Sequence, residues 1–178
     1  MAGACCGSSA CSDFFGERVA RRDLRSYLRR GLQGDARTLA GWALEAGVEG
    51  VEVLDVGGGV GAIQAELLRS GAARGTVVEV VPAYEPFARS LAESAGVAER
   101  SRFVLADLAR APGAVEPADV VVLRRVVCCS PYGPLLLGAA ARLTRRILVA
   151  SYPRRTRAAR AAASLQNAVL ALLRRRFR

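Results

Sequence analysis

Histidine and lysine are both missing from this 178-residue chain, which also has a single methionine, a single tryptophan and only 6% aromatic residues. Without histidine there is no imidazole to act as a general base, and any zinc site would need thiolates or carboxylates. Without lysine, all 26 basic residues are arginine, against 16 acidic ones, for a formal charge of +10. No uninterrupted apolar run of about 18 residues exists, which excludes a membrane-spanning helix of ordinary length. The start, "MAGACCGSSAC", lacks both the basic stretch and the apolar core of a signal peptide, so the expected location is cytoplasmic, with no membrane partner. Cysteine is sparse as well: Cys5, Cys6, Cys11, Cys128 and Cys129 make an odd count with no C-x-x-C spacing. Neighbouring cysteines bridge only with strain, so reduced thiols rather than a disulfide framework are expected.

What remains is rich in small apolar residues. Hydrophobic residues make up 52% of the chain, enough for one domain with a core and too little length for two full ones. The arginines suit an anionic partner through bidentate hydrogen bonds, or simply reflect a coding bias towards Arg, Ala, Gly and Val. Helical spacing predicts one helix over 12–30, capped by Ser12 or Asp13, and a second over 35–46, capped by Asp35. Beyond them short β-branched runs alternate with helices: strands at 51–56, 76–81, 102–105, 119–123 and 146–150, and helices at 62–69, 85–95 and 134–143. That alternation implies an α/β fold with a parallel sheet covered on both faces. The final stretch, "RRTRAARAAASLQNAVLALLRRRFR", reads as one long helix. The expected organisation is an N-terminal tail and helical cap over 1–47 and a binding domain over 48–178.

"VLDVGGGVGA", residues 53–62, reads as a strand entering a glycine-rich turn. Gly57, Gly59 and Ala62 fit the dinucleotide fingerprint, and the same residues fit a looser D-x-G-x-G-x-G pattern for a ligand without phosphate. Ligands of such sheets sit at the carboxyl ends of the strands, so the residues there discriminate between the two. Asp55 ends the first strand, where a carboxylate repels a diphosphate and suits a cation such as an amino-acid ammonium. Glu79, 24 positions on, can accept both hydroxyls of a ribose, and Asp107 in "FVLADL" can accept from an adenine amino group. Together the three carboxylates describe S-adenosylmethionine, although each has a plainer use as a helix cap.

In this order and spacing "VLDVGGGVGA", Glu79, "FVLADL" and "ADVVVL" resemble the class I S-adenosylmethionine-dependent methyltransferases over residues 51–150. The resemblance implies a Rossmann-like doubly wound parallel sheet of about five strands. It implies a methyl donor held by Asp55, by the turn Gly57, Gly58, Gly59 and Gly61, by Glu79, Asp107 and Leu108, and by backbone after the fourth strand near Leu123 and Arg124. The family usually adds two last strands, one antiparallel, which this chain lacks. The fifth strand is then an edge to be covered by the final helix or by a second copy in a homodimer.

The acceptor side implied by that resemblance is "RRVVCCSPYGP", with Cys128, Cys129 and Tyr132 as catalytic candidates. Four readings stay open. "SPY" resembles the S/D/N-P-P-Y element of amino-group methyltransferases without its second proline. Either cysteine resembles the nucleophile of cytosine-5 methyltransferases, but with Val127 in place of the preceding proline. The cysteines could together bind a soft metal or metalloid. The favoured reading packs the pair as small apolar residues behind the pocket. Phe14, Phe15 and Tyr27 are expected to form a lid, and the arginines of the first helix a solvated face. The expected activity is methyl transfer to a small-molecule acceptor. The alternatives are an RNA or DNA methyltransferase using the arginine-rich surface, and a non-catalytic or truncated donor-binding domain.

Overall fold

Strand residues 118–124, "ADVVVLR", and 52–56, "EVLDV", are nearly continuous apolar runs, which only a strand buried on both faces can use. The computed structural model describes residues 15–152 and places both at the centre of a sheet. The helices are α1 (Glu17–Arg30), α2 (Gly34–Glu45), α3 (Ala62–Arg69), α4 (Glu85–Ser94) and α5 (Gly133–Arg142). The strands are β1 (Glu52–Val56), β2 (Arg74–Glu79), β3 (Ser101–Leu105), β4 (Ala118–Arg124) and β5 (Thr144–Ser151). All four strand pairings are parallel, in the order β3-β2-β1-β4-β5, so the chain reverses its direction of winding between β1 and β4. This is the Rossmann-like arrangement, and the expected strands and the helices after the first appear with ends shifted by at most two residues; the first helix, expected from 12, begins at Glu17 with Gly16 at its N-cap, so Ser12 and Asp13 do not cap it. Ser12, Asp13, Phe14, Cys5, Cys6, Cys11 and the final helix lie outside the described residues.

Successive side chains of a strand point to opposite faces, and the core divides accordingly. Val53, Val120 and Val122 pack with α1, α2, α3 and α4, whereas Leu54, Val121 and Leu123 pack with α5 and with Leu108 and Val115. Asp55 lies two residues beyond Val53 and so belongs to the α3 face. Leu39, Leu67, Leu68 and Leu91 are almost wholly buried there, each worth about 2 kcal/mol in apolar area removed from water.

Tyr27 is part of this packing. Its hydroxyl donates to Glu66 on α3 at 3.0 Å, and burial followed by the Glu66 charge pushes its pKa up to about 12. It joins α1 to α3 instead of forming a lid, while Phe15 packs against the same core. Tyr27→Phe keeps the ring and removes one hydrogen bond to a charged group. Chemical denaturation should show a loss of about 1–2 kcal/mol with no change in donor affinity.

Candidate functional site

The site is built where β1 meets its loop. Gly57, Gly59 and Gly61 have φ of 63°, 57° and 73°, left-handed backbone that other residues adopt at a cost. Space is closed to side chains as well. A Cβ on Gly57 would stand 2.6 Å from Val126 Cγ2, on Gly59 3.1 Å from the Tyr84 ring, and on Gly61 2.9 Å from Val77 Cγ2. The loop is therefore bare backbone pressed between the segment after β4, the turn after β2 and β2 itself.

Two carboxylates surround it. Asp55 is 1% exposed, and its carboxyl carbon lies 2.6 Å from where a Cβ on Gly58 would be, directly beneath the loop. Its Oδ2 accepts from the Gln64 amide at 3.4 Å, while Oδ1 has no partner. Burial, with the Glu79 charge adding to it, raises the Asp55 pKa to about 7. Glu79 is 8% exposed and accepts from the amides of Gly59 at 3.1 Å, Val80 at 2.7 Å and Val81 at 3.2 Å. Burial raises its pKa too, against the pull of those three amides. A diphosphate would find the Gly59 donor taken by a carboxylate and a second carboxylate under the loop. A cation above the loop is favoured by both. The orphaned Asp55 oxygen and the bare loop thus fit a positively charged ligand.

The remaining predicted residues share this edge. Asp107 lies two residues past Leu105, which is in register with Glu79, and its Oδ1 accepts from Ala109 N at 3.0 Å, a turn-capping bond. Leu108 and Leu123 are buried in the α5-side core. The Arg124 side chain turns away from the loop to Asp35, with N–O separations of 3.0 and 2.9 Å, and Arg125 adds a 2.6 Å contact to the same carboxylate. Asp35 is thus an ion-pair partner, not a cap. Burial would raise its pKa, but Arg124 and Arg125 hold it below the usual range. Ser151 also donates to it at 3.2 Å.

Tyr84 donates to Asp23 of α1 at 3.3 Å, and burial followed by the Asp23 charge raises its pKa. Tyr132 is 39% exposed, with the Arg110 guanidinium 5.3 Å from its ring centre and 3.4 Å from its hydroxyl. Cys128 is exposed and Cys129 half-buried, so the pair does not pack behind the pocket: Arg125, at φ 55°, turns the chain outward before it reaches them. Among the described residues no three His, Cys, Asp or Glu side chains gather as a metal site, and no helix is long and apolar enough to cross a membrane. Val126, Gln64 and the Asp35 cluster carried no sequence signal; their roles arise from contacts across the fold.

The family described as "Methyltransferase domain" matches residues 53–146. No curated protein matches the chain. Among solved structures, magnesium protoporphyrin IX methyltransferase from Synechocystis PCC 6803 with bound S-adenosylhomocysteine superposes with a TM-score of 0.70 at 18% identity, covering 89% of this chain and 78% of that one. An O-methyltransferase family protein from Burkholderia thailandensis gives 0.66 at 23% identity, covering 84% of this chain and 47% of that one. An S-adenosylmethionine-dependent methyltransferase from Thiobacillus denitrificans, in complex with S-adenosylhomocysteine, gives 0.55 at 22% identity, covering 72% and 54%. The chain thus spans about half the length of the last two.

Proposed function

This chain belongs to the methyltransferase-domain family, as a class I S-adenosylmethionine-dependent enzyme, and on that premise we propose that it methylates a small-molecule acceptor. When bound, S-adenosylmethionine supplies a methyl group on a positively charged sulfur. Asp55 supplies negative charge beneath the loop, and Gly57, Gly58, Gly59 and Gly61 let the ligand approach backbone. Glu79 and Asp107 offer carboxylate oxygens at the ends of β2 and β3, and Leu108 and Leu123 give apolar support. Alignment of donor and acceptor does most of the work in such a displacement. Where the acceptor carries a proton, Tyr132, Cys128 and Cys129, in the segment after β4, are the candidate groups to take it.

One observation carries the acceptor reading: helices α1 and α2 are tied to the site's edge at two separated points. Asp23 of α1 meets Tyr84 beyond β2, and Asp35 of α2 meets Arg124, Arg125 and Ser151 at the ends of β4 and β5. Between those strands lies β1 with its loop, so both helices border the site from the face on which they pack, and this supports an acceptor small enough to enter beside them. A second reading rests on α1, whose outer face holds a groove lined by Arg18, Arg21, Arg22, Arg25, Arg29 and Arg30. That face suits a phosphate backbone. The domain is taken to work in the cytoplasm.

Incubating the full chain with radiolabelled S-adenosylmethionine and a cell extract separates these readings. We expect label in low-mass material that nuclease leaves unchanged. Nuclease-sensitive label, with nucleic-acid affinity falling steeply with salt, would replace this reading with the second. Donor binding without any labelled product would instead indicate a non-catalytic binding domain.

A further inference from the structure

The chain leaves β4 in a costly backbone state. Arg125 has φ 55°, and among the described residues it is the one position other than glycine with positive φ. Its amide still donates to the Ser151 carbonyl at 3.2 Å, so the residue extends the pairing of β4 with β5 before the chain turns outward. Glycine takes such a conformation freely, whereas a long side chain takes it at a cost. A side chain kept there serves something that offsets the strain.

Folding alone does not offset it. Asp35 is already held by Arg124 at 2.9 and 3.0 Å and by the Ser151 hydroxyl at 3.2 Å. Arg125 adds a contact through Nε at 2.6 Å, but its side chain is 59% exposed, where an ion pair gains little. Two guanidiniums thus share one carboxylate, and among the described residues no second carboxylate lies within ion-pair distance of either. One positive charge is left over.

That surplus stands beside the donor loop, beyond β4. The next residue, Val126, is the side chain that closes over Gly57, and Asp35 belongs to α2, which borders the site. Charge at the carboxyl edge of the sheet is therefore divided: buried carboxylates at the ends of β1 and β2, where a cationic donor fits, and unneutralised arginine after β4. We propose that Arg125 is a specificity-determining residue which anchors an anionic group of the acceptor, a carboxylate or a phosphate ester. The inference rests on the small-molecule acceptor assigned above and makes that acceptor an anion. Paired N–H donors of a guanidinium match the oxygens of either group, and Asp35 holds the guanidinium in place. The anchored group is not the one methylated, so its charge persists in the product.

The test uses the full chain, radiolabelled S-adenosylmethionine and a cell extract, with the low-mass label that depends on the added chain passed over an anion-exchange resin at pH ~8, where both candidate groups are ionised. We expect the label to be retained. Retention lost after phosphatase treatment identifies a phosphate ester, and retention kept identifies a carboxylate. Arg125→Gly removes the guanidinium and suits the backbone, so it should melt no lower than the parent and bind S-adenosylhomocysteine within about twofold, yet label product about tenfold or more slowly. A purely structural arginine would give the opposite pattern, a lower melting temperature with labelling intact. Arg125→Lys keeps the charge without the fork, and raising the extract concentration should restore much of its rate. Low-mass label that passes through the resin, or Arg125→Gly labelling as fast as the parent, would overturn this inference and leave the small-molecule reading standing. Absence of any low-mass label would remove that reading itself, and this inference with it.

Discussion

Raising the pH from about 5 to about 8 is expected to destabilise the unliganded protein while tightening its hold on S-adenosylmethionine, and Asp55→Asn should flatten both trends, leaving what Glu79 contributes. The cause is a carboxyl group buried beneath the glycine loop whose Oδ1 has no donor. In the folded chain it keeps its proton up to a pKa of about 7, whereas the unperturbed value is 3.8. Between those values the native state binds more protons than the unfolded one, so stability falls as pH rises and levels off above about 7. Three units correspond to a cost on the order of 4 kcal/mol at neutral pH, visible as a falling melting temperature. A cationic ligand above the loop favours the ionised form, so its affinity should weaken towards tenfold per unit below pH ~7 and level off above it. Calorimetric titration across that range reads both the affinity and the proton released. Asp55→Asn should melt higher at pH ~8 and bind the donor about 10–100-fold more weakly, with a shallower slope. A variant that binds as tightly as the parent would remove Asp55 from the site.

The parts of this site legible in the sequence are those whose signals are local. A strand running into three alternate glycines identifies the loop because left-handed φ and close packing both demand glycine there, as Gly57, Gly59 and Gly61 show. The sheet was readable for the same reason: "ADVVVL" can only be buried on both faces. Roles set by distant partners were not readable. Asp35 looks like a helix cap because its neighbours in sequence are helical, yet it is bound by Arg124 and Arg125, about 90 positions away. Tyr27 looks like a lid aromatic, and only the placement of α3 shows that it meets Glu66. The cysteine pair looks apolar by composition. Its exposure follows from the turn at Arg125, a positive-φ arginine that no local pattern announces.

Gly57→Val is expected to be the most damaging single change to donor binding, and its cost divides into two separable causes. The backbone at Gly57 has φ 63°, which a β-branched residue adopts at about 1–2 kcal/mol or more. Its Cβ would also lie 2.6 Å from Val126 Cγ2 and 2.9 Å from Val126 Cβ, so the segment after β4 and the loop must separate, a further loss of about 1–3 kcal/mol. The folded protein should lose about 2–5 kcal/mol in denaturation, and donor affinity should fall by about 100-fold or more because the loop backbone is displaced. The milder Gly57→Ala separates the causes when combined with Val126→Gly, measured against Val126→Gly alone. Removing the whole Val126 side chain, Cβ included, opens the space and leaves φ at position 57 unchanged, so the double variant should recover the packing part of the loss and retain the backbone part. Full recovery would mean that sterics alone require the glycine. No recovery would mean that the positive φ does, and that the fit of Val126 over the loop is incidental to how the donor is held.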